Sequence, residues 1–314
     1  MYIYDTNGRV PAQGTLLFLG DSITDSGKFI TFINTYLRLF FPDLKLNLVN
    51  LGVSSETCSG LSEQDHPFPR PSIHDRIDRV LREVKPNFTV ISYGINDMIY
   101  HPYTEDRMAA FMRGMTMLVE KLHSVNSKVF VCTPCVFDPV SFDGSLITSD
   151  QADNYSYRMP YAQYNTVMEQ LAIWERTELA GQVEGIVDWH QATGAMLAQI
   201  RRSNPDFISG DGIHPGLMLS ATMAQTLLSQ LFNLTIPRFW ELLQSDGMRL
   251  YWLIASRDQL THSYIKEKVG HTNPDKAELI SADELRSKLM EKDDEIDSYI
   301  ATHPELFAGF TDKY

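Results

Sequence analysis

The sequence predicts an α/β protein, with a parallel sheet in roughly its first two-thirds and a helical extension behind it. Three observations carry this. Short apolar runs alternate with amphipathic stretches, the pattern of β-α-β units in which helices cross between parallel strands. Turn formers (Gly, Asp, Asn) follow several of the apolar runs. After Ile213 the pattern becomes helical throughout.

Five strands are expected, at 15–19, 44–50, 88–92, 128–133 and 185–188. Helices fill the gaps at 27–41, 72–84, 104–124 and 160–180. In the third of these, Met108, Phe111, Met115, Leu118, Val119 and Leu122 recur three or four residues apart. That spacing makes one apolar face, so the methionines pack into a core rather than hold a cofactor. Two loops break the rhythm. One, 54–71, carries Pro67, Pro69 and Pro71; the other, 134–159, is rich in Asp, Ser, Gly and Tyr. In an open α/β sheet, loops that follow strands build the ligand site at the carboxyl edge. Later helices are expected at 217–233, 237–244, 249–269 and 282–301. A boundary near Ile236 divides the chain into a domain of residues 1–236 and a helical extension of residues 237–314. Tyr251, Trp252, Leu253 and Ile254 are expected to pack the extension against the domain.

The chain has 314 residues, 43% hydrophobic and 21% charged, enough apolar material for a sizeable core. Its formal net charge of −13 argues against nucleic acid as a partner, because that binding needs Lys and Arg to neutralise phosphates. Three cysteines make no disulfide framework and fit a reducing compartment. The first residues lack a basic segment followed by an apolar one. Nor is there a run of about 20 apolar residues to span a membrane. A cytoplasmic protein without a membrane partner is the expectation. Its nine histidines show no zinc spacing, and no glycine-rich loop ends in Lys-Ser or Lys-Thr, so no cofactor or metal is expected.

Four segments can carry chemistry. Strand 15–19 runs into Gly20-Asp21-Ser22-Ile23-Thr24 and then a helix. A serine at such a junction either presents its hydroxyl to a ligand or merely caps the helix. Gly210-Asp211-Gly212-Ile213-His214-Pro215-Gly216 precedes another helix. A carboxylate three residues ahead of a histidine can hold Nδ1–H and free Nε2 to take a serine proton, or the segment is only a turn and cap. Tyr93-Gly94-Ile95-Asn96-Asp97 closes strand 88–92, where an amide can donate to an oxyanion. Asn50-Leu51-Gly52 closes strand 44–50, where glycine admits close backbone approach or simply makes a turn.

Together these segments, spread over about 15–230 and in the same chain order, resemble the blocks of the GDSL/SGNH hydrolases, a family of serine esterases. The resemblance implies a flavodoxin-like three-layer α/β/α sandwich. It implies Ser22 as nucleophile, His214 as general base and Asp211 as its orienting carboxylate. The implied oxyanion hole is made by the N–H groups of Ser22 and Gly52 and the side-chain amide of Asn96. The first block reads Gly-Asp-Ser-Ile rather than Gly-Asp-Ser-Leu, a change at a packing position. Asp21, Asn50 and Asp97 are expected to hold loops by hydrogen bonds.

The function expected is hydrolysis of a short-chain acyl ester through an acyl-enzyme, with an acetylated carbohydrate as the favoured substrate. Tyr155, Tyr157, Asp138 and Asp143 on the long loop are suited to polar sugar faces. Alternatives are a lipase or thioesterase acting on a lipid or aryl ester, and a non-catalytic carbohydrate-binding protein on the same fold. Cys132-Thr133-Pro134-Cys135 has the spacing of a redox pair, but no helix follows to lower a thiol pKa. The extension could pair two copies of the chain as a homo-oligomer or cap the site.

Overall fold

The computed structural model describes residues 13–41, 43–234 and 245–304. Its strands are β1 (Gln13–Gly20), β2 (Lys45–Asn50), β3 (Phe88–Ser92), β4 (Lys128–Cys132) and β5 (Gly185–Val187). All pair in parallel, in the order β2-β1-β3-β4-β5. The chain therefore leaves β1 toward one side of the sheet and later returns on the other. The crevice at that reversal, at the carboxyl ends of β1 and β3, is where open α/β sheets bind ligands. Leu16, Leu17, Phe18 and Leu19 of β1 are fully buried, and so is essentially all of β3. Strands covered on both faces read as unbroken apolar runs, which is why both were visible in the sequence.

The helices are α1 (Ser22–Asp25), α2 (Lys28–Phe40), α3 (Ile77–Val84), α4 (Glu105–His123), α5 (Tyr164–Trp174), α6 (Trp189–Ser203), α7 (Leu217–Phe232), α8 (Ser245–Val269) and α9 (Ala282–Thr302). α4 begins on Thr104, whose side chain accepts the Arg107 N–H, with Glu105 and Asp106 in the first turn to complement the dipole. α2 packs against α7 and α7 against α6, while α4 lies on β4. Phe29 of α2 meets Trp189 of α6 edge to face at 4.8 Å.

α8 lies along α2 and pairs with α9. Asn34 of α2 donates to both oxygens of Asp258 at 2.9 and 2.8 Å, and Arg38 and Arg257 share Asp293 at 2.8 and 3.1 Å. Of the four residues expected to dock the extension, Tyr251 and Ile254 are buried and Leu253 is partly buried, while Trp252 is 56% exposed. A three-residue step keeps 251 and 254 on one helical face and turns 252 outward.

Strand ends agree with the sequence reading to within two residues. The helix expected at 72–84 starts as a 3-10 turn, Ile73–Asp75, before α3. The one expected at 160–180 is α5, continued by a wider π turn, Glu175–Leu179, and the 3-10 turn Ala180–Gln182. The sequence pattern does not mark α6. Its buried residues are only Trp189, Thr193 and Leu197, a stripe too thin to stand out as an apolar period. The helix expected at 237–244 and the boundary near Ile236 lie outside the described residues. Among the described residues, no helix is long and apolar enough to cross a membrane.

Candidate active site

β1 delivers Ser22 to the crevice through a turn only glycine permits. A Cβ on Gly20 would stand 2.2 Å from Thr24 Oγ1 and 2.5 Å from the Ser92 carbonyl oxygen. Asp21 caps α1, its Oδ1 accepting the Ile23 N–H at 2.9 Å. Ser22 is the first residue of α1, half-buried, with its N–H in the turn where helical amides have no intrahelical partner.

The turn that carries the histidine depends on Gly210 (φ +67) and Gly212 (φ +86), both left-handed. Between them Asp211 organises the turn. Its Oδ1 accepts the N–H groups of Ile213 (3.0 Å) and His214 (2.6 Å), and its Oδ2 lies 2.7 Å from His214 Nδ1. His214 Nε2 stands 2.8 Å from Ser22 Oγ, across 192 positions of chain. With Nδ1–H donated to the carboxylate, the Nε2 lone pair faces the hydroxyl, the arrangement a general base needs. Burial pushes the Asp211 carboxyl up, but the hydrogen bonds from His214 and Ile213 outweigh it and hold the group below the ordinary carboxylate range. Both side chains are open to solvent, 40% exposed for His214 and 58% for Asp211.

The other side of Ser22 is buried. Asn96, 3% exposed, follows β3, the strand paired with β1. Its Oδ1 accepts the Tyr100 hydroxyl at 2.9 Å, and its Nδ2 donates to the Glu56 carbonyl at 3.2 Å. An amide nitrogen has two hydrogens, so one remains for a ligand. Ile99 (φ +47) and Tyr100 (φ +63) are consecutive non-glycine residues in the left-handed region. Such conformations cost about 1–3 kcal/mol each and persist only where the surroundings impose them. Here they turn the Tyr100 hydroxyl back onto Asn96.

Glu56 is fixed in turn. Its carboxylate makes a two-point ion pair with Arg76 (2.6 and 2.6 Å) and accepts the Tyr93 hydroxyl at 2.6 Å, with all three side chains buried. Arg76 Nη2 also donates to the Leu51 carbonyl at 2.7 Å, beside Gly52. A Cβ on Gly52 would stand 2.2 Å from the Asp25 nitrogen, so glycine alone allows this turn to seat on α1. The Gly52 N–H, expected to face an oxyanion, donates to Asn50 Oδ1 at 2.9 Å. The Asn50 side chain folds back two residues, as Asn does at turns, and an oxyanion would have to share that hydrogen. Nothing in residue spacing pointed to Glu56, Arg76 or Tyr100.

The flanking carboxylates hold loops. Burial, reinforced by the nearby Asp97, pushes Asp21 up to about 7 against the opposing hydrogen bond from Ile23. Asp97 Oδ1 accepts the Cys58 and Ser59 N–H groups, each at 2.7 Å, and burial pushes its carboxyl up as well. Asn50 Nδ2 donates to the Thr24 carbonyl at 2.8 Å.

Two of the loop residues expected to meet a sugar do not present their polar groups. Asp138 is 5% exposed and pairs with Arg201 of α6 at 2.8 and 2.6 Å. Tyr155 is 3% exposed and its hydroxyl donates to the Ser149 carbonyl at 2.5 Å. Tyr157 is half-buried and Asp143 exposed. Cys58, Cys132 and Cys135 are buried free thiols pushed upward by burial, which leaves the redox reading of the pair without support. Among the described residues, no three His, Cys, Asp or Glu side chains gather as metal ligands would. Beyond the Asn96–Tyr100 turn lies a pocket of about 600 Å³, lined by Ser62, Glu63, Asp65, Ile99, His101 and Tyr155.

Residues 18–217 match the sequence model of the GDSL-like lipase/acylhydrolase family. An acetylxylan esterase from Geobacillus stearothermophilus is 23% identical over 239 residues, covering 71% of this chain and 96% of that one. Among solved structures, a gut microbial diltiazem-metabolizing enzyme superposes with a TM-score of 0.55 at 19% identity. That match covers 70% of this chain and 47% of the other, so this chain spans about half its length. A mutant of an acetyl-xylooligosaccharide esterase from Geobacillus superposes with a TM-score of 0.52 at 18% identity, over 72% of this chain and 97% of that one. At these identities the superpositions speak for the fold.

Proposed function

We propose an acyl-enzyme mechanism for this protein, which belongs to the GDSL-like lipase/acylhydrolase family and is a carboxylic ester hydrolase. The observation that carries the proposal is the unbroken line from Asp211 Oδ2 to His214 Nδ1, and from His214 Nε2 to Ser22 Oγ. A serine hydroxyl is a weak nucleophile until a positioned base takes its proton. In the proposed reaction Ser22 Oγ attacks the ester carbonyl carbon while His214 Nε2 accepts the hydroxyl proton. Asp211 holds the ring in the right tautomer and stabilises the imidazolium that forms. Negative charge gathers on the former carbonyl oxygen, toward the Ser22 N–H and the remaining Asn96 amide hydrogen. The Gly52 N–H joins them by sharing its bond with Asn50. The C–O bond to the alcohol then breaks, and His214 returns its proton to the leaving oxygen. Water repeats the sequence on the acyl-serine and releases the acid.

The acyl group in this reading is short, and the alcohol is a carbohydrate. The acetylxylan esterase relative supports it. Turnover of acetyl, butyryl and octanoyl esters of one aryl alcohol tests the acyl part and the nucleophile, with wild type beside Ser22→Ala. Expected are activity that declines with chain length and its loss in Ser22→Ala. An octanoyl optimum would move the reading to a lipase. A Ser22→Ala enzyme of normal rate would remove Ser22 from the chemistry.

A further inference from the structure

The extension reaches the catalytic turns from behind, through side chains that lie beyond the stretch matched to the family. His262 of α8 is 4% exposed. Its Nε2 lies 2.7 Å from Asp25 Oδ1 and its Nδ1 2.8 Å from the Asn50 carbonyl oxygen. Both partners are oxygen acceptors, so the ring makes both bonds only when each nitrogen carries a hydrogen. Asp25 ends the short helix that Ser22 begins, and Asn50 ends the strand before Gly52. One imidazole thus joins the nucleophile turn to the turn that carries Gly52.

Neighbouring contacts repeat the link. Lys266 Nζ reaches the same Asp25 Oδ1 at 2.8 Å. Asp25 Oδ2 accepts the Ser54 hydroxyl at 2.5 Å and the Ser54 N–H at 3.2 Å. Asn273, 5% exposed and just after α8, donates from Nδ2 to the Ser54 carbonyl at 2.7 Å. Burial pushes the Asp25 carboxyl up, but His262 and Lys266 outweigh it and hold the group well below the ordinary range.

We propose that the extension is a working part of the catalytic centre, with His262 and Asn273 as positioning residues. They set the Asn50–Ser54 turn against α1 and so fix the Ser22 and Gly52 donors where the oxyanion forms. The proposal rests on the Ser22 reading above. Donors placed for the oxyanion act on the transition state more than on bound substrate, so their misplacement lowers kcat and spares KM.

The test uses the full chain with a short aryl acetate, counting competent sites by burst titration with a fluorophosphonate. His262→Ala is expected to lower kcat per titrated site about ten-fold or more, with KM within about two-fold. His262→Gln keeps one of the two bonds and is expected to recover part of that loss. Asn273→Ala removes one bond at the far end and is expected to cost a few-fold, which keeps the test decisive if the His262 variants do not fold. Wild-type kcat per titrated site in Asn273→Ala and in every folded His262 variant, whatever their melting temperatures, would overturn the proposal and leave the extension a stabilising layer. Ser22→Ala, run alongside, separates the two ideas. If it keeps full turnover, the nucleophile assignment fails; if it is dead while the others are normal, only the positioning role fails.

Discussion

The two sides of Ser22 are built in opposite ways. On the side proposed to carry the base, Asp211 and His214 sit on a seven-residue glycine turn, open to solvent, and the aspartate's hydrogen bonds stay within that turn. On the side proposed to supply the oxyanion donors, Asn96, Glu56, Arg76, Tyr93 and Tyr100 are buried and cross-braced through segments as distant as Leu51 and Asn96. A base has to accept and return a proton and tolerates a flexible seat. A hole for developing charge is useful only if its dipoles are in place beforehand. The difference teaches that altering the open side should cost rate alone, whereas altering the buried side should cost rate and stability together.

That contrast can be broken in several ways. The largest effect is expected at the two groups that meet, where Ser22→Ala or His214→Ala should lower kcat on the order of 10⁴–10⁶-fold. Melting temperatures should barely move, and a large fall in the His214→Ala melt would mean the open side is structural after all. Next comes Arg76→Leu, which strands the Glu56 carboxylate and should cost about 3–5 kcal/mol in denaturant unfolding. A loss under about 1 kcal/mol would show the brace to be dispensable. Asn96→Ala should lower kcat about 10²–10³-fold. A normal rate there would take Asn96 out of the mechanism.

The smallest effects concern the two aspartates that bound α1, whose shifts run in opposite directions. Asp21 keeps its proton to about 7 in the fold, whereas an unfolded Asp loses it near 4. Stability through this group therefore falls as pH rises from about 4 to 7, and Asp21→Asn should gain on wild type across that window. Asp25 is held low, so its contribution is full above about 4 and is lost as pH falls below that. The melting-temperature gap between wild type and Asp25→Asn should be widest near neutral pH and close in acid. Parallel pH profiles for both variants would contradict the assigned signs.

The strands and the segments that carry Ser22, Gly52, Asn96, Asp211 and His214 were legible because each depends on neighbours in sequence. An apolar run, a glycine at a strand end and an Asp three residues before a His are local patterns. The donor-side brace was not legible: Glu56 and Arg76 are charged side chains in and after a loop, and only the fold shows them paired and buried. The apolar stripe of α6 is too thin to mark the helix in sequence, and with it the sequence hides Arg201, the partner of Asp138. An aspartate on a long loop then looked like a free polar contact for sugar. The second role of Asn50, taking up the Gly52 hydrogen, depends on a side-chain rotamer that no spacing encodes.

The three concealed thiols give the molecule its own stopwatch. Cys58 lies in the proline-rich loop against Asp97, whereas Cys132 ends a central strand. A thiol reagent is expected to reach the first on a local loosening of the loop, and the second only when the sheet itself parts. Labelling rates at the two positions would therefore time two separate openings of the native state without an engineered cysteine.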